Sequence, residues 1–473
     1  MNVSNAKMGY TIFVFVALAA FDNIIIGLFP PLFSSIAKDI NVPISSLGIV
    51  SAANILVTAL SSICWGYLAG KFNRKKLIII GTIFWSVSVF LTAHCSSYIQ
   101  LLIYQIFTGI GLGCISSIGF SVLTDYIPHK FRGMLLSLWG MSQGFGGIAG
   151  ALMASLIATS TSWRKPFEIV SAIGLLLAIL YFFIEEPTLG ESEPELQGLI
   201  NEGYEYGYSI ELKSIYNIVS RKSNILLFLQ AFFMNITTGT LIWLPTMYIS
   251  KIQHAGYNIK IAIIASGYLF AIFQIGGLTS TFFGYLGDVA QKKTYKGRAR
   301  LTSFFVFIMM PLYIVMFIIP MNELSLSNSD NALLVFLDLL KQIFINPWIF
   351  AIFILSFLAS AAQSANTPNW LALITDVNIP EHRGAAFSIA NLANGLGRTI
   401  GNAGVGILLS SVSANIGEPE NYIITLAIFQ LFLIPSSLLY IKMAKNNEED
   451  INEVKAILSE RAKSLYSQYK SNT

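Results

Sequence analysis

Two ionisable residues interrupt stretches that are otherwise apolar. Asp22 lies in the run 9–35, and Arg398 lies in the run 384–412. A carboxylate at the centre of a membrane-spanning helix costs about 2.5–3.5 kcal/mol to insert, so it turns to a protein interior and takes a partner. Asp22 is about thirteen residues into its run, roughly 20 Å along a helix axis, and Arg398 is about fourteen into its own from the same side. Equal depth places them in one central cavity, paired in one state and separated in another. Burial raises the pKa of an Asp and a neighbouring Arg lowers it. Withdrawing the Arg would let Asp22 take a proton, which couples solute movement to a proton gradient. Two other readings stand beside this one. The pair could bind a solute or headgroup without proton coupling, or it could be static and set only packing.

Uncharged polar residues mark further cavity positions. They are Asn23, Gln105, Asn235, Thr238, Trp243, Gln363, Asn366, Asn369 and Trp370. Asn391, Asn394 and Arg398 recur at three and four residues, which puts them on one helix stripe. Amide and small residues also serve plain helix–helix packing. Three cysteines and four histidines show no metal-ligand spacing, so no metal or cofactor is expected.

Long helices must position these groups. The chain has 473 residues, of which 54% are hydrophobic and 11% charged, against roughly 25% charged in soluble domains. Lipid is therefore the solvent for most of it. Runs long enough to span a bilayer fall at 9–35, 44–69, 76–95, 98–124, 133–160 and 167–184. A second set falls at 223–250, 258–287, 300–320, 347–375, 384–412 and 420–442. The expected fold is an all-α membrane protein with twelve transmembrane helices in two pseudo-symmetric six-helix bundles around a central cavity. The expected units are bundles at 1–184 and 223–442, a cytoplasmic linker with a surface helix at 185–222, and a cytoplasmic amphipathic tail at 443–473. The linker carries eight acidic residues, and 321–346 is a second insertion. With both ends inside, 22 of the 29 Lys and Arg fall in inner segments, so both termini are expected in the cytoplasm.

Two patterns occur once per half, at the expected cytoplasmic ends. The first is Gly66, Lys71, Arg74 and Lys75, with its counterpart Gly284, Asp288, Lys292 and Arg298. The second is Asp125, Pro128 and Arg132-Gly133, with its counterpart Asp376, Pro380 and Arg383-Gly384. Repeats at matching positions of two six-helix halves mark transporters built from duplicated units. With these motifs in order, and Trp163-Arg164-Lys165-Pro166-Phe167 before span six, the chain resembles the major facilitator superfamily over nearly its whole length. Glu186-Pro187, Trp243-Leu244-Pro245 and the basic run 297–300 look like the Spinster-like branch. The resemblance implies a cavity lined mainly by spans one, four, seven and ten. It also implies that Gly66, Arg74, Asp125, Arg132, Gly284, Asp288, Arg298, Asp376 and Arg383 serve as gate and scaffold. The sequence departs from the family at Gly70, where an Asp is usual, at Gln105, where many proton-coupled relatives have Arg, and at Phe145, where the antiporter element has Pro.

The expected function is a secondary active transporter that moves a small organic solute by alternating access, with proton symport through Asp22. The Spinster-like resemblance implies a lysolipid or other amphiphile, whereas Arg398 suits an organic anion. A transporter-like sensor that binds without turnover, or an uncoupled facilitator, is the alternative. No Gly-rich phosphate cradle ending in Gly-Lys-Ser/Thr is present to drive an ATP pump, and neither a His-Glu-x-x-His nor a Gly-x-Ser-x-Gly set suggests a membrane enzyme. The expected partners are a small-molecule substrate, protons and the lipid bilayer, without nucleic acid, for a monomer in the cell membrane.

Overall fold

A computed structural model describes residues 5–126, 132–158, 160–184, 214–321, 323–327 and 331–472. Side chains at 22, 120, 124, 126, 132–136 and 138–140, among a few others, lie outside that description. The sequence reading of the linker at 185–213 and of the side chains of Asp22 and Arg132 therefore falls outside the described residues.

The protein is all-α, with twelve transmembrane helices in two pseudo-symmetric halves. In the first half these are α1 (Asn5–Leu28), α2 (Ile44–Ala69), α3 (Arg74–Ala93) and α4 (Tyr98–Cys114). α4 runs on through a π-helical turn, Ile115–Gly119, into Phe120–Tyr126. α5 (Arg132–Leu152) and α6 (Arg164–Tyr181) follow. In the second half, α7 (Lys222–Thr240) and α8 (Ile259–Ile275) each continue past a tightened turn, to Leu244–His254 and Ser280–Lys293. α9 is Gly297–Ile318, α10 is Pro347–Ser364 continued by Asn366–Asp376, and α11 is Pro380–Val412. α12 starts at Glu420–Gln430 and runs on as the 40-residue helix Leu433–Asn472. The breaks have local causes. Pro245 and Pro368 each supply no N–H just inside the resumed helix, which forces a gap in the ladder behind them.

Among the described residues, nine helices are long and apolar enough to cross a membrane by composition alone. The other three are α5, α6 and α11. α6 opens on Arg164, Lys165 and Glu168, and α11 carries the Asn391–Arg398 stripe. The charges at the head of α6 and the polar stripe of α11 lower the hydropathy of these helices.

Each half is held together internally by the same kind of seam. A Cβ on Gly150 would stand 2.2 Å from the Ile24 carbonyl, and one on Gly146 would stand 2.3 Å from that of Ala20. This lets the α1 and α5 backbones touch. α7 and α11 meet in the same way, with a Cβ on Gly401 falling 2.0 Å from the Ile236 carbonyl. Small residues are what permit such contacts in lipid, where no hydrophobic drive joins helices. The halves face one another along α2 against α11 and α5 against α8. Large apolar side chains such as Phe84, Phe107, Ile179 and Phe304 point outward.

The basic loops after α2 and α8 and the start of α12's extension lie on one face, called here the basic face. One element, at the opposite face beside the start of α8, was not expected from sequence. The insertion at 321–346 contains an apolar helix, Ala332–Ile345. The Ile451, Val454 and Leu458 stripe of the tail is buried, the last two packing on Ile379 at the start of α11.

Candidate functional site

Between the halves lies a cavity of about 180 Å³ lined by α1, α2, α4, α7, α10 and α11. A second, of about 120 Å³, adjoins it; the two share Asn23, Asn54, Thr238, Gln363 and Arg398, and the second reaches Gln105 and Gln274. Arg398 thus borders both. Its Nε donates to Asn235 Oδ1 at 2.9 Å. Asn235 Nδ2 donates to the Ala231 carbonyl at 2.8 Å and to Asn394 Oδ1 at 2.6 Å. Asn394 Nδ2 reaches Asn391 Oδ1 at 3.4 Å. Because guanidinium only donates, every amide in this relay has its orientation set from Arg398 outward. Thr238 adds a second donor to Asn235 Oδ1 at 3.2 Å.

The α10 wall is held from behind. The Tyr440 hydroxyl and Gln230 Nε2 both donate to Asn366 Oδ1, at 2.8 and 3.2 Å. The Tyr313 hydroxyl donates to Gln363 Oε1. On the other wall, Asn54 Nδ2 donates to the Gln105 carbonyl at 2.8 Å, and Asn23 Nδ2 donates to the Ala19 carbonyl at 2.7 Å.

Of the residues expected to line a cavity, the structure brings together Asn23, Asn235, Thr238, Gln363, Asn366, Trp370, Asn391, Asn394 and Arg398 around the larger space. Gln105 lies at the smaller one, 1% exposed, with its Nε2 on Thr92 Oγ1 at 3.1 Å. Two expected residues are placed elsewhere. Trp243 is buried beyond the cavity, where its Nε1 donates to Asn402 Oδ1 at 2.9 Å, and Asn402 Nδ2 donates to the Gly48 carbonyl across the two halves. An indole N–H taken out of water needs an acceptor, and Asn402 supplies one away from the cavity. Asn369 is fully buried between α8, α9 and α10. It donates to the Phe283 carbonyl and lies 3.5 Å from Arg298 Nη1, in a space that exists because Gly287 has no Cβ. The sequence reading missed Asn54, Thr58 and Ser116. The signal was available for Asn54, an amide in the middle of an apolar run.

The motif residues gather on the basic face. Arg74 Nη1 pairs with Asp125 Oδ2 at 3.0 Å, joining the start of α3 to the end of α4. Arg298 Nη2 pairs with Asp288 Oδ1 at 2.7 Å, joining α9 to α8. Arg383 Nε donates to the Thr375 and Asn378 carbonyls, each at 3.2 Å. There it caps the end of α10, which also holds Asp376, where a cation suits the helix dipole. Gly66 sits against Ser388 Oγ across α2 and α11, and Gly284 is buried in α8.

Comparison with known proteins follows the same lines. The family model of the Major Facilitator Superfamily matches residues 12–338 and 331–471. The chain is 27% identical over 313 residues to the probable sulfoacetate transporter SauU of Cupriavidus necator, covering 64% of this chain and 69% of that one. It is 26% identical to the niacin transporter NiaP of Acinetobacter baylyi, over 44% of this chain and less than half (47%) of that relative. In three dimensions it resembles a bacterial homolog of the human lysosomal transporter Spinster, in an inward-facing and occupied conformation. That match has a TM-score of 0.64 and 17% identity, and covers 95% of this chain and 99% of that one. With this fold, this cavity and a family match across its length, the chain belongs to the Major Facilitator Superfamily and is a membrane transporter of a small organic solute rather than an enzyme.

Proposed function

We propose that the protein is a secondary active transporter that moves a small organic anion by alternating access. In this reading 1–184 and 223–442 are the two moving units, and the basic face and both termini are cytoplasmic. Asp22 is the proton-coupling carboxylate, and the protein works as a monomer in the cell membrane. The observation that carries the reading is Arg398, a guanidinium bordering both cavities and fixed by Asn235 at 2.9 Å. A cation in a low-dielectric cavity attracts an anion far more strongly than it would in water. The cavities are small and rich in amides, which favours a compact anion over a lysolipid, whose acyl chain needs an extended apolar slot. A relative named for sulfoacetate, a small organic anion, points the same way.

Alternating access needs contacts between the halves that open and close. The α2–α11 and α5–α8 seams supply them, and the Arg74–Asp125 and Asp288–Arg298 pairs hold the helix ends that would rock.

The test is uptake by reconstituted vesicles. Small carboxylates and sulfonates are compared with lysophospholipids, with and without an inward proton gradient. The reading expects saturable uptake of an organic anion that the gradient drives uphill. It also expects Asp22→Asn to lose uphill uptake while keeping exchange. Uptake of lysophospholipid alone would refute the anion, and undiminished uphill uptake by Asp22→Asn would refute the coupling role.

A further inference from the structure

The two walls of the cavity differ in hydrogen-bond sense. On the first-half wall, most side-chain protons are spent on protein oxygens, chiefly backbone carbonyls. Asn23 Nδ2 donates to Ala19 and Asn54 Nδ2 donates to Gln105. The Thr58 hydroxyl donates to the Asn54 carbonyl at 2.8 Å, and the Ser116 hydroxyl donates to the Gly113 carbonyl at 3.1 Å. A carbonyl only accepts, so these assignments fix both amides and both hydroxyls. What remains for the cavity is chiefly acceptor oxygens, Asn23 Oδ1, Asn54 Oδ1 and the lone pairs of Thr58 and Ser116, beside the second N–H of Asn23.

The second-half wall is the reverse. The relay from Arg398 consumes the oxygens of Asn235, Asn394 and Asn391. Asn391 Nδ2 is left with no partner among the described residues. Tyr440 has Asn366 as its one polar partner, and Tyr313 has Gln363. A buried phenol donates where it has a single partner, so the oxygens of Asn366 and Gln363 are taken and their NH2 groups are left over. All three residues line the cavity. Two acceptors stand on this side: Gln230 Oε1, which is buried and unpartnered among the described residues, and the lone pairs of Thr238, whose proton goes to Asn235. The hydroxyls of Ser51 and Thr367 and the amide of Gln274 are uncommitted and take either role.

We propose that the cavity selects an anion that carries a hydrogen-bond donor at its other end, such as a hydroxy or amido acid. The anionic oxygens lie on the donors of α10 and α11, and the O–H or N–H meets the acceptors of α1, α2 and α4. A plain anion of the same size leaves those acceptors dry and unpaired. Sites built to bond a substrate hydroxyl discriminate strongly against the analogue lacking it. One ligand spanning both walls also ties the halves together, as an occluded state requires. This inference rests on the anion reading above.

The experiment measures binding to the purified protein by calorimetry, using pairs matched in charge and carbon count. The pairs are 3-hydroxypropionate with propionate, 4-hydroxybutyrate with butyrate, and 4-hydroxyphenylacetate with phenylacetate. For the pair that fits the cavity, the hydroxy acid is expected to bind about tenfold more tightly. Asn54→Leu and Thr58→Val are each expected to cut that preference to within twofold, by weakening the hydroxy acid and by removing the unpaired acceptor that the deoxy acid faces; a thermal melt like that of the native protein reports that the variants fold. Equal affinity within every pair overturns this inference and leaves the anion reading intact. Saturable binding of none of the six, or of lysophospholipid instead, overturns the anion reading and this inference with it.

Discussion

At the scale of single residues, the account turns on groups whose ordinary place is in water. Arg398 was legible because one cation in an apolar run has few tolerable environments. Its supporting amides were legible as a stripe, since Asn391, Asn394 and Arg398 repeat at helical spacing. The direction of the hydrogen bonds was not legible, because it depends on Ala231 and Ala19 carbonyls that periodicity does not reveal. Nor were Tyr313 and Tyr440, which act from outer helices through long side chains. Trp243 and Asn369 show the converse. Polar residues within a cavity helix can be claimed by partners elsewhere, here Asn402 and the α8–α9 region. Arg398→Gln should lower anion affinity about 10- to 100-fold, since charge-assisted hydrogen bonds contribute about 1.5–3 kcal/mol. Titration of the purified variant checks this, and unchanged affinity would remove Arg398 from the binding site.

At the scale of elements, the span positions followed from apolar run length, which the bilayer itself sets. Helix Ala332–Ile345 was missed because a 14-residue apolar helix is too short to span. The glycine seams explain why α5 and α11 are poor in bulky residues. Gly401→Val should lower stability by about 1–3 kcal/mol, the usual range for overpacking, because its side chain would meet the Ile236 carbonyl. A thermal melt in detergent measures this. The tail of α12 is fastened by charged contacts: Arg221 to Glu453 at 3.0 Å, Ser223 N to Asp450 Oδ2 at 3.0 Å, and Arg461 to Glu381. His382 faces the same groove, where Arg221, Lys222, Glu381, Glu449, Asp450, Glu453 and Arg461 surround it. Burial holds its pKa below the usual 6.5; Glu381 opposes that, and Arg461 and Arg221 add to it. The docked state therefore binds fewer protons than the undocked one. Its stability is full above about 6.5 and declines as pH falls below that value. Proteolysis of the tail should speed up between pH 7.5 and pH 5, and His382→Gln should flatten that dependence.

At the scale of the whole molecule, the duplication is the strongest signal in the sequence, and it is visible again in three dimensions. The first helix of each half packs on the fifth through glycine. The halves are not identical in their charges. The first ties α3 to α4 through Arg74 and Asp125, and the second ties α8 to α9 through Asp288 and Arg298. Gly70 thus leaves the first basic loop without its usual acid, and Asp125 supplies a carboxylate to Arg74 from a different helix. What the sequence could not convey is which faces meet, because a helix stripe shows that a partner exists and not which helix provides it. Transport, as opposed to binding alone, requires that the cavity reach each side in turn. Counterflow measures this directly. Vesicles holding purified protein are preloaded with an unlabelled organic anion that binds, and are then given the labelled anion outside. The account predicts transient accumulation of label above the outside concentration in vesicles with the native protein, and none with Arg398→Gln. Saturable binding of the anion with no protein-dependent entry of label would contradict it.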